Sequence, residues 1–357
     1  FRNCITTREG IWEQIEPYRN TDFKMLWWEI VGGMFGAWRK EGKTYAEGVE
    51  DYPRPGDLFV AESYRTMRAE GINPLKTAMD YAHEIGLEFH VSQRSEMFQT
   101  GPPFEEVFST DFYLEHPEWR LRDIDGTEVT GMSYAHDGVR RYLVSLLEEA
   151  TSLGADGAGI IYPRSAPFVL YEQPFVDAFV ERHGEDPRDV DEEDDRVVGL
   201  RAEFMTAFMR ELREAMDRVG EVLGRRLAIS AIVFATEAEN RLAGLDLAGW
   251  IRGGLLDHLS PYPYSRAKSV MDIETAYFRH ITQETACRLY PNVMPRHMPA
   301  AEYREMAKFY YDEGADGLLF WDTYQRHDGS SQWETIRRLG HREEIRTAAE
   351  QADLQAE

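Results

Sequence analysis

The sequence predicts an α/β protein, a single-domain (β/α)8 barrel of the TIM type, and three observations carry this prediction. Short apolar runs of strand length alternate with amphipathic helical patterns along most of the 357 residues. The tetrapeptide GADG occurs at 154–157 and again at 314–317, each time between a helical pattern and an apolar run. The glycine-rich phosphate-binding turn of open nucleotide-binding sheets is missing from the sequence. A closed barrel is therefore favoured over an open, doubly wound sheet.

Seven strands are predicted from apolar runs that follow helical patterns. They cover 23–31, 87–94, 158–164, 227–235, 255–262, 288–295 and 317–324. If FRNCIT at 1–6 is the end of another strand, the count is eight, and the two GADG turns introduce strands four and eight. Such alternation indicates a parallel sheet covered on both faces. Glycine after a helix adopts the left-handed conformation that ends it, which explains the repeated turn.

Composition limits the partners and the number of domains. No internal linker is visible, so we predict one barrel domain over 1–340 and a polar helical tail over 341–357. The net charge of −24 argues against nucleic acid and anionic membranes as partners. No apolar run approaches the roughly 20 residues of a membrane span. The chain opens with Phe1 rather than Met, so the sequence leaves cytoplasmic and exported locations open, as it does the oligomeric state.

Polar and aromatic residues end the predicted strands, where a barrel of this type has its active site. The candidate catalytic carboxylates are Glu29, Glu237 and Asp322. The candidates for substrate binding are Trp28, Arg94, Glu96, Tyr162, Arg164, Asn240, Tyr262, Arg296, His297 and Trp321. Aromatic faces stack on sugar rings, and two carboxyl groups can cleave a glycosidic bond. The set predicts a carbohydrate site. No HExxH motif, close His/Asp cluster or cysteine framework is present (Cys4 and Cys287 stand alone), so we predict no metal.

The surroundings of the three carboxylates suggest their roles. Asp322 follows the apolar run GLLFW, which should limit its solvation, raise its pKa and suit it to act as general acid. Glu237 has polar neighbours, which suits the ionised partner. Glu29 is the reserve candidate for either role. Each of these residues has the alternative role of a structural ion-pair partner.

Two further ambiguities concern the binding residues. Arg94 and Arg164 fit an anionic sugar such as a uronic acid, because guanidinium binds carboxylate in a bidentate manner. They equally fit neutralisation of neighbouring glutamates. Trp27 and Trp28 point to opposite faces of their strand, so at least one of them packs against a helix.

Several longer motifs resemble the family-10-like glycosyl hydrolases (the GHL10 type, related to the DUF187 group). They are DFYLEHPEWRLRD at 111–123, SYAHDGVRRYLVSLLEEATSLGADG at 133–157, FVERHGEDPRDV at 179–190 and GLDLAGWIRGGLLDHLSP at 244–261. Their order and spacing are similar from about residue 60 to residue 325. The resemblance implies a TIM-type barrel that hydrolyses O-glycosidic bonds in a polysaccharide or oligosaccharide without a cofactor.

The fourth strand departs from the family pattern at one position. The second acidic position of that strand is occupied by Ile161, which can neither protonate a leaving group nor stabilise an oxocarbenium ion. Three functions therefore stay open: a hydrolase with relocated carboxylates, a barrel that binds glycans without cleaving them, and a uronate lyase or isomerase with Tyr162 or His297 as base.

Overall fold

A curved, all-parallel sheet forms the centre of the molecule in the computed structural model, which describes residues 5–30, 52, 54–95, 109–163, 166–263, 272–321, 332–343 and 345. Its strands pair in the order β1, β2, β5, β6, β7, β8. Their bounds are β1 Met25–Ile30, β2 Glu88–Arg94, β5 Gly157–Ile161, β6 Ala228–Phe234, β7 His258–Tyr262 and β8 Arg288–Leu289. A separate antiparallel hairpin consists of β3 Arg120–Arg122 and β4 Glu128–Met132.

Helices connect these strands and cover the outside of the sheet. Their bounds are α1 Arg8–Ile15, α2 Pro55–Ala69, α3 Pro74–Glu84, α4 Asp111–Glu115, α5 Asp137–Thr151, α6 Gln173–His183, α7 Asp195–Leu223, α8 Glu237–Leu242, α9 Leu247–Arg252, α10 Thr275–Thr282, α11 Ala300–Asp312 and α12 Trp333–Ile336. None of the helices among these described residues is long and apolar enough to cross a membrane.

The strand predictions are confirmed for the six sheet strands, each of which lies within or beside its predicted run. Of the last predicted strand, 317–324, the described residues 317–321 form a parallel bridge between Leu319 and Asn292, and residues 322–324 lie outside the described residues. In the predicted N-terminal strand, residues 1–4 lie outside the described residues, and residues 5–7 are not a strand because Thr7 caps the start of α1. The β3–β4 hairpin was not predicted.

The two GADG turns share the same glycine conformation and the same kind of aspartate hydrogen bond in the structure. Gly154 and Gly314 have φ values of 117° and 95°, the left-handed region in which glycine avoids a Cβ clash. The aspartates of the two turns, Asp156 and Asp316, accept hydrogen bonds from the backbone N–H groups of Phe89 in β2 and Leu289 in β8, at 2.8 and 2.9 Å. These carboxylates lie at the amino ends of the strands, opposite the predicted mouth, so Asp156 is the turn residue that its position suggests.

The interior of the sheet is partly polar, while its outer face packs on the helices. His90, Ser92, Ser230 and Ser260 are all fully or almost fully buried. His90 Nδ1 lies 3.0 Å from Ser230 Oγ. Gly159 makes room for this layer, because a Cβ there would lie 2.6 Å from Ser92 Oγ. Small residues thus keep the interior open below the mouth.

The start of the predicted tail packs onto the fold. His341 Nδ1 lies 2.6 Å from the carboxylate of Asp22, and the Arg342 guanidinium lies 4.4 Å from the centre of the Tyr311 ring. The domain boundary at 340 stays a prediction, since most of 341–357 lies outside the described residues.

Candidate active site

A cavity of about 1220 Å³ reaches the carboxyl ends of the strands. At that end its wall includes Glu29 near the end of β1, His297 after β8, and Trp321 after the bridge at Leu319. Deeper in the sheet it is lined by Trp27, Ser92, Ile161, Ile232 and Leu319. The mouth therefore combines one carboxylate, one imidazole and a large aromatic ring.

Glu29 and Arg94 form an ion pair at this mouth. Arg94 Nε lies 2.8 Å from Glu29 Oε1, and Arg94 Nη2 lies 3.4 Å from Oε2. Glu29 is in register with Ser92, so Arg94 follows two residues further along the same face of the neighbouring strand. Both side chains are about one quarter exposed, at 28% and 26%. The sequence left open whether Arg94 binds an anionic sugar or neutralises a neighbouring glutamate. In the structure it neutralises Glu29.

An apolar and aromatic cluster forms the floor of the mouth. Ile161, Ile232, Tyr262 and Trp321 are buried together, and the Tyr262 and Trp321 rings lie 5.2 Å apart. Trp321 thus lies on the cavity wall with Tyr262 packed against it, and the role of both in substrate binding stays a prediction. Ile161 is in register with Arg94, so an aliphatic side chain occupies the place at which the resembling family has its acid.

Trp27, rather than Trp28, faces the interior of the sheet. Its ring is parallel to the His90 ring at a centroid distance of 6.2 Å, whereas the Trp28 ring stacks on Phe89 in the outer layer. Strand alternation assigned the two rings to opposite faces but could not say which face was which. Trp28, the predicted binding residue, thus lies in the outer layer, where it borders the outer part of the cavity, and its role in substrate binding stays a prediction.

Two predicted binding residues have structural roles. Tyr162 is fully buried in the outer core, where its hydroxyl contacts Met209 Sδ at 3.2 Å and burial raises its pKa. It can neither reach a substrate nor act as a base near neutral pH, so both predictions for it are wrong. Asn240 is 1% exposed, and its amide bonds the backbone of Phe234 and Thr236 at 2.7–3.1 Å. It closes the turn between β6 and α8.

Glu237 lies outside the cavity wall. It is exposed in the first turn of α8, and its backbone N–H donates to Glu274 Oε2 at 2.9 Å. His297 is exposed at the mouth, and the half-buried Arg296 beside it accepts a hydrogen bond from the Tyr303 hydroxyl through its carbonyl oxygen, at 2.6 Å. Of the three predicted carboxylates, Glu29 is the one that the structure places in the cavity. Glu96, Arg164 and Asp322 lie outside the described residues.

Glu172 is a buried carboxylate that the sequence did not single out. It is 2% exposed and accepts hydrogen bonds from Arg122 N, Ser133 Oγ and Leu170 N at 2.7–3.0 Å. Burial raises its pKa, although these donors oppose the shift. Because the bonds join β3, the end of β4 and the loop after β5, Glu172 holds the hairpin onto the sheet. No local sequence signal distinguishes it from the surface glutamates around it.

The donor set gives little support to metal chemistry. Among the described residues, no group of three or more His, Cys, Asp or Glu side chains is arranged to hold a metal ion.

Several solved structures are similar to this chain in fold. A maltogenic α-amylase from Thermotoga neapolitana matches with a TM-score of 0.50 at 10% identity, over 94% of this chain and 71% of that one. A family 18 N-acetylglucosaminidase from Paenibacillus barengoltzii matches at 0.45 and 11%, over 75% and 87%. An α-galactosidase from Thermus thermophilus matches at 0.42 and 13%, over 89% of this chain and 57% of that one.

The first of these matches confirms the predicted fold class, an α/β barrel of the TIM type. At such identity it shows the fold alone. No family model and no curated protein sequence matches the chain. The resemblance to the family-10-like glycosyl hydrolases accordingly stays a prediction.

Proposed function

We propose that the protein is a glycoside hydrolase-type barrel that acts on an oligosaccharide or polysaccharide. The observation that carries the proposal is the mouth itself, where the Glu29–Arg94 pair stands beside a cavity with Trp321 on its wall and Tyr262 packed behind it. Aromatic rings bind the apolar faces of sugars, and carboxylates at the carboxyl ends of barrel strands supply acid–base chemistry. The chain's likeness in fold to a maltogenic amylase is compatible with this proposal.

In this proposal Glu29 is the ionised carboxylate. A guanidinium 2.8 Å away favours the charged form, which suits a nucleophile, a general base or a group that stabilises positive charge on the sugar ring. A protonated general acid is a poor fit for the same position. Glu29, the reserve candidate from the sequence, is therefore our first candidate for the ionised catalytic carboxylate, in place of the exposed Glu237.

Asp322 is the proposed general acid. It directly follows Trp321, which lines the cavity and is 9% exposed. A carboxyl group that emerges beside such a ring would be poorly solvated and could retain its proton near neutral pH. In a retaining enzyme the two carboxyl groups lie about 5–5.5 Å apart, and in an inverting enzyme about 6.5–9.5 Å.

A glycan-binding barrel without hydrolysis is the second candidate. Ile161 supports it, because this buried aliphatic side chain occupies the acidic position of the resembling family. For a uronate lyase or isomerase, Tyr162 is excluded as the base, and the exposed His297 is the remaining candidate. Arg94, occupied by Glu29, gives an anionic sugar less support than the sequence suggested.

Thermal-shift titration with neutral and acidic oligosaccharides, followed by a reducing-end assay on any glycan that stabilises the protein, separates these functions. A hydrolase releases new reducing ends from a stabilising glycan. Stabilisation without new reducing ends would identify the glycan-binding barrel, and unsaturated products would identify a lyase. No stabilisation and no turnover with any glycan of the panel would count against a carbohydrate function altogether.

A further inference from the structure

The floor of the mouth has a charged side and an aliphatic side. Arg94, at the end of β2, is in register with Ile161 on β5, and Ile161 is in register with Ile232 on β6. Three neighbouring strands therefore carry a guanidinium group and then two isoleucines at the same level of the barrel. Arg94 is paired with Glu29 on β1. The charged groups thus lie over β1 and β2, and the aliphatic groups lie over β5 and β6.

Ile161 and Ile232 present an apolar surface to the cavity. Both side chains line it, and each residue is 3% exposed. The carbonyl oxygen of Ile161 accepts hydrogen bonds from the backbone N–H and the hydroxyl group of Ser95, both at 3.1 Å. The carbonyl oxygen of Ile232 accepts from the N–H of Tyr162 at 3.0 Å. The carbonyl oxygens at this level already have partners within the fold, so methyl and methylene groups are what these two residues offer a ligand.

Aromatic rings flank this aliphatic surface. Trp321 lines the cavity and is buried in one cluster with the two isoleucines. Trp27 also lines the cavity and packs against the same cluster from β1. Such rings stack on the apolar faces of sugars. A sugar ring oriented by one of these side chains would direct one of its substituents toward Ile161 and Ile232.

A methyl substituent suits this surface better than a hydroxyl group does. A hydroxyl group buried without a partner loses its hydrogen bonds to water, whereas a methyl group gains free energy on leaving water. A hydrophobic pocket distinguishes an apolar ligand from its hydroxylated analogue by up to roughly a hundredfold. The aliphatic side of the floor therefore favours a sugar that is methylated at this position.

We propose that the sugar bound at the mouth carries a methyl group, and that Ile161 and Ile232 contact that methyl group. Two classes of sugar have this chemistry: the 6-deoxyhexoses and the N-acetylhexosamines. The inference rests on the proposed carbohydrate function, and it applies to a hydrolase and to a glycan-binding barrel alike. Ile161, at the acidic position of the resembling family, is then a specificity-determining residue.

The Ser92 hydroxyl group distinguishes the two classes. Ser92 lines the cavity one layer below Ile161, because it is in register with Gly159. Its buried oxygen makes no hydrogen bond within the described part of the chain. An N-acetyl group has an amide beside its methyl group that can bond to this oxygen, and a 6-deoxy carbon has none. Ser92→Ala should weaken binding of an N-acetylhexosamine by about fivefold and change binding of a 6-deoxyhexose by less than about twofold.

Dissociation constants of matched sugar pairs, measured by calorimetry on the 357-residue chain, test the proposal. Each pair replaces one methyl group by a hydroxymethyl group: L-fucose with L-galactose, L-rhamnose with L-mannose, and N-acetylglucosamine with N-glycolylglucosamine. In at least one pair, we expect the methyl-bearing sugar to bind at least about tenfold more tightly.

Ile161→Val and Ile161→Thr are the matched variants, because valine and threonine have the same shape and differ by one hydroxyl group. The valine variant should keep the ratio of the two dissociation constants within about twofold of wild type, and the threonine variant should reduce that ratio to below about threefold. If Ile161→Thr does not fold, Ile232→Val and Ile232→Thr give the same comparison.

Two results would overturn the proposal. One is equal or tighter binding of the hydroxymethyl sugar in every pair, and the other is the same ratio in the valine and threonine variants. Binding of a glycan without methyl groups, together with no binding of any pair, would contradict this inference and leave the proposed function intact. No binding of any glycan would contradict both.

Discussion

At the scale of single residues, the candidate site is determined by which small and charged side chains lie on the same face of neighbouring strands. Strand-end carboxylates and arginines could be identified from the sequence, because position in the alternating pattern predicts the mouth. Their partners could not be identified, because the pairing of Glu29 with Arg94 joins side chains 65 positions apart. Periodicity likewise could not show that Tyr162 faces Met209 in the outer core.

Gly159 leaves room for Ser92 in the interior layer, and a larger residue would take that room away. Gly159→Ala should lower the free energy of unfolding by about 1–3 kcal/mol, because the new methyl group would lie 2.6 Å from Ser92 Oγ and 3.3 Å from its Cβ. Gly199→Ala is the control in α7, where no atom lies within 4 Å of the added Cβ. That variant should be more stable by roughly 0.5–1 kcal/mol. Urea unfolding measures both; equal effects would refute the crowding.

His258 makes stability depend on pH. Burial, with a smaller effect of His90, lowers its pKa to about 4 from the ordinary value of 6.5. The other ring near it is that of Tyr290, and Asp257, Glu88 and Arg288 are the remaining charges that influence it. Between pH 6.5 and 4 the unfolded chain binds a proton that the folded chain does not, so stability falls as the pH falls through this window.

The variant His258→Gln should show less of this loss. Comparison of urea unfolding at pH 7, 5.5 and 4.5 should give a difference between wild type and variant that grows on acidification, up to about 3 kcal/mol. Parallel pH profiles for the two proteins would show that His258 does not titrate with a lowered pKa.

The βα units are the elements best anticipated from sequence, since each joins an amphipathic helix to an apolar run. The hairpin of β3 and β4 was missed because its strands are only three and five residues long and partly buried, too short for a strand periodicity to stand out. The motif HPEW within this region packs at the start of α5, where the Trp119 ring leaves no room for a Cβ at Gly138. Long-range packing, rather than local propensity, fixes this element.

Glu172 should be the main attachment of the hairpin. Glu172→Ala should cost about 2–4 kcal/mol, because it leaves buried donors on Arg122, Ser133 and Leu170 without their acceptor. Glu128→Ala removes a surface ion pair with Arg120 at 2.8 Å and should cost less than about 1 kcal/mol. Limited proteolysis should cut the hairpin of the first variant sooner than that of the second. The same cleavage rate in both would contradict this role.

The molecule as a whole is a barrel whose fold is predictable and whose candidate site lies at one end. The alternation of elements was enough to predict the fold class. Topology alone predicted a site at the carboxyl ends of the strands, but it could not separate Glu29 from Glu237, because that distinction depends on the position of each side chain. Glu29 reaches the cavity from a strand, whereas Glu237 has already entered a helix on the surface.

The most direct test of this account is the turnover of Glu29→Gln on a glycan that wild type both binds and cleaves, measured as release of reducing ends. The matched control is Glu237→Gln, and Asp322→Asn tests the proposed acid in the same assay. We predict that Glu29→Gln lowers turnover by at least a hundredfold with a melting temperature close to wild type, because its carboxylate acts on the sugar being cleaved. We predict that Glu237→Gln keeps turnover within about twofold. Wild-type turnover by Glu29→Gln would contradict the account, whatever the result for the other two variants.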